Sequence, residues 1–202
     1  WTANPKRQPL FNQEDPSYKG AVWGRDVPKL TGANVAFAIR ARVVLLRDLG
    51  APLSPFNAFQ IIQGLETVAI RMKQHCTNAE KVVKFLETQK KVKNVIYPTN
   101  HQGEIKDRAK RYMKGGYGSL VGMDVGTREA GSKFIDNLKM LYHVANIGDA
   151  RSLAIHPATT THSQLNDKEL LAAGVTPGYV RLSIGIEHPD DIIGDIKQAL
   201  GA

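Results

Sequence analysis

The sequence has almost no cysteine and no long hydrophobic run. Cys76 is the single cysteine among 202 residues, which excludes an internal disulfide framework and a cysteine-rich metal site. One free thiol fits a reducing compartment, so we expect a cytoplasmic protein. No stretch is long and apolar enough to span a bilayer, and we therefore expect no membrane partner.

Three common functional motifs are also missing. Ser163 lies beside His162, but no G-x-S-x-G turn is present, so a hydrolase triad is not indicated. His156 and His162 have no partner pattern for zinc, and His75 and Cys76 are adjacent, which points their side chains in different directions. No β-α-β nucleotide signature occurs. The sequence predicts neither a metal site nor a nucleotide fold.

The chain is basic, with a formal net charge of +8. A basic chain raises the possibility of nucleic-acid binding. Its lysines, however, are scattered over amphipathic segments and are not interleaved with aromatic residues, as a single-strand-binding surface would require. We expect no nucleic-acid partner; a phosphate or carboxylate ligand, or an acidic neighbouring subunit, explains the charge as well.

Residues 1–30 show neither helical nor strand periodicity and are rich in Pro, Asn and Gly. A long irregular segment in a globular protein is usually a functional loop or packs on another element. Because the segment opens on Trp1, we expect the chain to begin partway through a larger protein. The next run, GANVAFAIRARVVLLRDLG, is apolar on most sides, which predicts a deeply buried helix that ends at Gly50.

A long helix is predicted from about Pro55 to Leu86. Its apolar or small residues recur in alternating steps of three and four, as on one face of a helix. They are Ala58, Ile62, Leu65, Ala69, Met72, Cys76, Ala79, Val83 and Leu86. The small residues among them favour a helix packed across a domain over a coiled coil.

From Val92 onward, short strands alternate with short helices. The strands are predicted at VKNVIYP, GSLVGMDV, YHVA, SLAI and YVRLSIGIE. The helices are predicted at TREAGSKFIDNLK, NDKELLAAG and HPDDIIGDIKQALG. Thr127 is the expected N-cap of the first helix, and Asn166 with Glu169 forms a capping-box pattern before the second. The order predicts an α+β domain with a mainly antiparallel sheet covered by helices on one face.

An arginine interrupts the apolar strand YVRLSIGIE. With period two, one face carries Val180, Leu182, Ile184 and Ile186, and the other carries Tyr179, Arg181, Ser183 and Gly185. Ser183 and Gly185 are small and leave room beside Arg181, and a guanidinium in open space suits a carboxylate or phosphate, which it can bind through two hydrogen bonds. Spacing alone favours a solvated or surface-paired arginine, so a binding role needs further support.

The stretch HVANIGDARSLAIHPATTTHSQL supplies polar residues near that strand in sequence. Asn146 ends a short strand and enters the loop IGD, and the turn HPATTTHS carries Thr161 among several hydroxyl groups. Such a turn could hydrogen-bond an anionic ligand. Equally, its threonines and histidines could satisfy only local backbone groups.

These residues resemble a known enzyme family. Two segments are similar to the C-terminal region of the pyridoxal-phosphate enzymes of cysteine and methionine metabolism: NIGDARSLAIHPATTTHSQL and VTPGYVRLSIGIEHPDDIIGDIKQAL. LRDLGAPLSPFNAFQIIQGLETVAIRMKQHCTNA resembles the segment that joins the two domains of those enzymes. WTANPKRQPLFNQEDPSYKG resembles an insertion of the O-acetylhomoserine sulfhydrylase branch.

The resemblance implies a substrate-binding role for three residues. The arginine of VRLSIG holds the α-carboxylate of the amino-acid substrate in the family, which would be Arg181. Asn146 occupies a position that lines the same carboxylate site, and Thr161 matches a threonine that supports the arginine. No catalytic, cofactor-binding or metal-binding residue is expected in this chain, because the Schiff-base lysine and the residues around the cofactor belong to a segment upstream in relatives.

The resemblance also implies an organisation and a reaction. Residues 1–54 would end the large cofactor-binding domain, and residues 55–202 would form the small C-terminal domain of a fold-type-I enzyme, with its long connecting helix. The complete enzyme would use pyridoxal 5'-phosphate to convert O-acetylhomoserine and sulfide or a thiol into homocysteine or methionine and acetate. It would be a homo-oligomer, commonly a tetramer, completed by the missing N-terminal domain. A cystathionine γ-synthase, a methionine γ-lyase and an inactive association module remain alternatives.

Overall fold

The computed structural model describes residues 2–201, which divide into two compact units, 2–62 and 63–201. The boundary lies inside helix α5 (Pro55–Glu66). No helix within the described residues has the length and hydropathy needed to cross a membrane.

The first unit is helical. Its helices are α1 (Pro9–Asn12), α2 (Trp23–Thr31), α3 (Ala36–Arg40), a π-helical turn (Ala41–Leu46) and α4 (Arg47–Leu49). A small core of Phe11, Trp23, Val27 and Ala36 holds them together. The Trp23 indole donates to Asp15 Oδ2 at 2.9 Å, so its polar end is satisfied while its rings are buried.

Helix α2 departs from the irregular structure predicted for residues 1–30. Trp23 and Val27 lie one helical turn apart and share the buried face of α2. At the start of the helix, Asp26 Oδ2 accepts a hydrogen bond from the Val22 amide at 2.8 Å. The short amphipathic pattern is present in the sequence, but Pro28 within it obscures the periodicity. Trp1 lies outside the described residues.

The helical run after residue 35 is much less buried within this unit than its sequence predicts. Ala36 is fully buried, whereas Phe37 is 58% and Leu49 is 74% exposed. The unit has too few other elements to cover an apolar surface on all sides of this run. Its predicted end at Gly50 is confirmed, because Gly50 has the left-handed φ of 65° that favours glycine.

The second unit contains the sheet and the helices around it. Its strands are β1 (Asn94–Ile96), β2 (Leu120–Asp124), β3 (Tyr142–His143), β4 (Leu153–Ile155) and β5 (Tyr179–Ser183). Its helices are α6 (Val68–Glu87), α7 (Gly103–Tyr112), α8 (Arg128–Asn137), α9 (Asp167–Ala172) and α10 (Pro189–Gly201). The α+β prediction is confirmed; α7 is an additional helix that the sequence pattern does not predict.

The strands form one sheet in the order β1-β2-β5-β4-β3. Neighbouring strands are antiparallel except β3 and β4, which are parallel. The predicted, mainly antiparallel sheet is therefore confirmed. Strand β5, the last in sequence, lies at its centre, where it pairs with β2 on one side and β4 on the other.

Helices α6, α8 and α10 pack with the sheet on one face. Helix α6 contacts β1 and β2, α8 contacts β5, and α10 contacts both α6 and α8. Val121, Met123, Val180, Leu182 and Ile196 are all completely buried in the core between them. Burying such side chains contributes roughly 1.5–3 kcal/mol each. The opposite face of β5 carries Arg181, so the core fixes the direction in which that side chain points.

The predicted long helix is interrupted once, between α5 and α6, at Thr67. Here Arg71 Nη2 donates to the Gly64 carbonyl at 2.6 Å, which takes the place of a backbone hydrogen bond. The apolar stripe is buried only in its second half: Ala79 and Leu86 are fully buried, while Leu65 is 60% exposed. Only that half of the stripe packs against the sheet.

Both predicted helix caps are present. The Thr127 side chain accepts from the Ala130 amide at the start of α8. At α9, Asn166 accepts from the Glu169 amide while the Glu169 side chain accepts from the Asn166 amide, a complete capping box. These local signals depend on neighbouring residues alone, which is why the sequence predicts them.

A buried carboxylate ties α10 to the segment between α8 and β3. Asp195 is 7% exposed. It accepts hydrogen bonds from the amides of Lys139, Met140 and Leu141 at 2.8–3.0 Å, and from Gln198 Nε2 at 2.9 Å. Burial by itself would raise the pKa of Asp195, but these hydrogen bonds outweigh it and the pKa is lowered.

We expect Asp195→Asn to lower the free energy of unfolding by about 2 kcal/mol, since an amide nitrogen cannot accept from the backbone amides. For a domain of this size, Tm should fall by roughly 4–8 °C. Thermal unfolding followed by circular dichroism measures the change. Asp136→Asn, at an exposed position of α8, is the matched control, and an equal loss in both variants would contradict the assignment.

The same carboxylate predicts a pH dependence. Because the pKa of Asp195 is lower in the folded protein, its stabilisation is fully present above the unfolded pKa of about 3.9 and is lost as pH falls through the folded pKa. The stability difference between wild type and Asp195→Asn should shrink below about pH 4. Denaturant unfolding between neutral and acidic pH measures it, and a constant difference would refute the prediction.

Candidate functional site: an arginine on the open face of the sheet

Arg181 occupies the middle of the central strand β5. Its register partners are Gly122 on β2 and Ile155 on β4. Since directly opposed residues of antiparallel strands share a face, these two flank the arginine side chain. The neighbours Val180 and Leu182 are fully buried on the other face, so Arg181 cannot turn inward without disrupting the core.

A glycine next to Arg181 makes room for an aromatic ring. A Cβ added to Gly122 would lie 2.7 Å from Tyr179 Cε2, so only glycine allows this ring to pack on β2. Tyr179 is partly buried; burial raises the pKa of its hydroxyl, and the charge of Arg181 acts in the opposite direction. A hollow of about 190 Å³ adjoins both side chains and is also lined by Ile96, His101 and Leu120.

The room predicted at Ser183 and Gly185 is not open. Both residues are buried, because the loop between β3 and β4 fills the space. Ser183 Oγ accepts from the Gly148 amide at 3.2 Å. The prediction that these small residues leave space for a ligand is therefore wrong, and the open space beside Arg181 lies on the Gly122 side.

Ile186 also departs from the predicted core face. Strand β5 ends at Ser183, and Ile186 is 36% exposed. Its amide donates to the Ala150 carbonyl at 2.8 Å, so beyond the strand the chain pairs with the β3–β4 loop and no longer follows the alternation of the sheet.

The guanidinium of Arg181 is held at one nitrogen and accessible at another. Nη2 donates to the Ala145 carbonyl at 2.6 Å. Nε is buried and has no hydrogen-bond partner. Nη1 also has no partner within residues 2–201, but it is accessible. The end of the guanidinium therefore retains donor capacity that an anion could use.

Asn146 lies next to the carbonyl that Arg181 binds. It is exposed, as are most residues from Val144 to Arg151. The hydrogen bond from Arg181 to Ala145 brings the backbone of this loop to the guanidinium. Of the predicted residues, Arg181 and Asn146 are thus brought together through the backbone.

Thr161 has a different hydrogen-bond partner. It is exposed, and its hydroxyl lies 2.9 Å from His162 Nδ1. The Arg181 side chain bonds to the Ala145 carbonyl and not to Thr161. Its turn is anchored by His156, which is completely buried and bonds through Nε2 to the Pro177 carbonyl at 2.8 Å. Burial lowers the pKa of His156, which favours the neutral ring. This anchor fixes the turn relative to the segment that leads into β5.

The sequence does not reveal the parts of the site that come from distant segments. Neither Gly122 nor the Ala145 carbonyl stands out in it, although a glycine inside the strand GSLVGMDV is a readable sign of close approach. Every residue has a backbone carbonyl, so the sequence does not show which carbonyl binds Arg181. Identifying it requires the position of the loop.

The described residues fit the binding of an amino-acid carboxylate better than the binding of an aldehyde cofactor. Arg181 offers free donors beside a hollow. None of the lysines within residues 2–201 is buried, whereas a lysine that forms a Schiff base at neutral pH is usually desolvated. The described part of the chain therefore provides a place for an acid group and does not provide one for the cofactor's aldehyde.

Several known proteins are similar to this chain. It is 49% identical over 196 residues to the O-acetyl-L-homoserine sulfhydrylase of Leptospira meyeri, covering 94% of this chain and 44% of the relative. It is 42% identical to the homocysteine synthase of Schizosaccharomyces pombe, covering 99% of this chain and 46% of that protein. The chain thus spans about half the length of the curated relatives it matches.

A solved structure shares the fold. The crystal structure of an O-acetylhomoserine (thiol)-lyase from Campylobacter jejuni, which contains N'-pyridoxyl-lysine-5'-monophosphate, superposes with a TM-score of 0.83 at 41% identity. It covers 98% of this chain, and this chain covers 46% of it. Residues 20–201 match the family model described as Cys/Met metabolism PLP-dependent enzyme. The chain belongs to this family of pyridoxal-phosphate-dependent enzymes.

Proposed function

We propose that this chain is the C-terminal, substrate-carboxylate-binding part of a PLP-dependent O-acetylhomoserine sulfhydrylase. The complete enzyme would convert O-acetylhomoserine and sulfide into homocysteine and acetate, or use a thiol such as methanethiol to give methionine. One observation supports this role. Arg181 lies on a buried strand, and its guanidinium has hydrogen-bond donors available beside a hollow. The names of the relatives support the choice of reaction.

The proposed role of Arg181 is positioning. Two hydrogen bonds from a planar guanidinium to a carboxylate fix both the position and the direction of the amino acid. That orientation sets the angle of the Cα–H bond, from which a proton must leave. Pyridoxal phosphate supplies the electron sink for this carbon when bound. Asn146 and Thr161 are proposed to complete the carboxylate site.

The proposed domain organisation follows the relatives. Residues 1–54 would belong to the large cofactor-binding domain and residues 55–202 to the small domain, with α5 and α6 connecting them. The complete enzyme would be a cytoplasmic homo-oligomer, and the segment that carries the Schiff-base lysine would lie outside this chain. The chain alone should then form no homocysteine from O-acetylhomoserine and sulfide with added cofactor; measurable turnover would contradict this.

In the complete enzyme, we expect Arg181→Ala to raise the KM for O-acetylhomoserine about 100-fold, because a charge-assisted pair is lost. The visible absorbance of the bound cofactor should be unchanged. Arg181→Lys should recover only part of the affinity, since an ammonium cannot make the paired contact. Arg108→Ala, at an exposed arginine of α7, is the control. Unchanged KM in Arg181→Ala would refute the carboxylate role.

The choice of reaction has its own test. We expect the complete enzyme to release acetate from O-acetylhomoserine faster with sulfide or methanethiol than with cysteine as the acceptor. It should release little ammonia from methionine. Faster turnover with cysteine would instead indicate a cystathionine γ-synthase, and rapid elimination from methionine would indicate a methionine γ-lyase.

A further inference from the structure

The loop between β3 and β4, residues 144–151, carries both the carbonyl that binds Arg181 and the proposed ligand residue Asn146. Most of its side chains are exposed, so apolar packing contributes little to its position. Its location must depend on hydrogen bonds to the rest of the unit. Those bonds join the loop to β5, at Arg181 and Ser183, and to the segment that follows β5, at Ile186.

The carboxylate of Glu187 contacts Ser152, at the C-terminal end of this loop. Its Oε1 accepts from the Ser152 amide at 2.6 Å, and its Oε2 accepts from the Ser152 hydroxyl at 2.9 Å. The same hydroxyl accepts from the Gly185 amide at 2.8 Å. Ser152 is completely buried. One carboxylate and one hydroxyl thus join the C-terminal end of the loop to the continuation of β5.

The continuation of β5, residues 184–187, is also bound by two side chains of helix α6. Asn78 Nδ2 on α6 donates to the carbonyls of Gly185 and Glu187 at 3.0 and 2.8 Å. His75 Nδ1 lies 2.6 Å from the Ile184 carbonyl, which requires the proton on Nδ1. Both side chains are buried. The segment to which Glu187 belongs is therefore a rigid support for the loop.

The packing at Gly185 shows how closely the two segments approach. A Cβ added there would lie 2.2 Å from Glu187 Oε2 and 2.4 Å from the Ala150 carbonyl. The Glu187 carboxylate therefore lies directly against the backbone of Gly185. A change at Glu187 or Ser152 therefore acts at the point where the two segments touch.

Resting on the proposed function of Arg181, we propose that Glu187 and Ser152 are positioning residues for the substrate-carboxylate site. They hold the β3–β4 loop so that the Ala145 carbonyl orients the guanidinium and Asn146 faces the bound carboxylate. Neither residue contacts the ligand. Loss of their contact lets the loop move and misorients Arg181, so it weakens the binding of the carboxylate group selectively.

The test uses the complete enzyme and two probes that carry no leaving group, L-norleucine and L-norleucinamide, which differ only at the carboxyl group. Binding is followed through the absorbance of the bound cofactor. We expect Glu187→Gln and Ser152→Ala to raise the Kd of norleucine about tenfold and that of norleucinamide less than about twofold. Glutamine has one accepting side-chain oxygen, so in Glu187→Gln the Ser152 amide and the Ser152 hydroxyl can no longer each donate to a separate oxygen of residue 187.

Glu80→Gln, the same change at an exposed position of α6, should leave both constants unchanged. Ser152→Ala removes one oxygen only and keeps the test decisive if Glu187→Gln does not fold. Equal weakening of both probes, or a lowered Tm with unchanged Kd values, would overturn the positioning role. The Kd of norleucine is also measured in Arg181→Ala. If this variant leaves that Kd unchanged, the proposed function fails. If Arg181→Ala raises it and the Glu187 and Ser152 variants do not, only the present inference fails.

Discussion

The alternation of strand β5 is the constraint on which the architecture and the candidate site both depend. Val180 and Leu182 are fully buried against the helices, and their burial directs Arg181 to the opposite face of the sheet. A guanidinium on a loop could relax toward solvent. On the central strand its backbone is held by the packing of the whole unit, and the Ala145 carbonyl holds the guanidinium.

The open face of β5 is shaped by two segments distant in sequence. Gly122 on β2 lets the Tyr179 ring lie against the backbone and leaves a hollow beside Arg181. On the other side, the β3–β4 loop covers Ser183 and Gly185 and supplies the Ala145 carbonyl to the arginine. The result is a cation with one donor occupied by protein and others available, which suits an anionic group of a small molecule.

Local and non-local features differ in how well the sequence predicts them. The caps at Thr127 and Asn166, the end at Gly50 and the strand alternation around Arg181 rest on residues close in sequence, and the structure confirms them. Helix α2 escapes prediction because Pro28 interrupts a short pattern. The predicted space at Ser183 and Gly185 is wrong, because a loop more than thirty residues earlier occupies it.

The sequence by itself determined the α+β class, the face on which Arg181 lies, and the resemblance that led to a family the comparisons confirm. Periodicity, capping and motif similarity depend on residues that are close in sequence. Only the tertiary structure decided that the Ala145 carbonyl binds Arg181 and that the Ser152 amide donates to Glu187. Each of these depends on how strands and loops meet in space, and backbone groups make such contacts whatever side chain they carry.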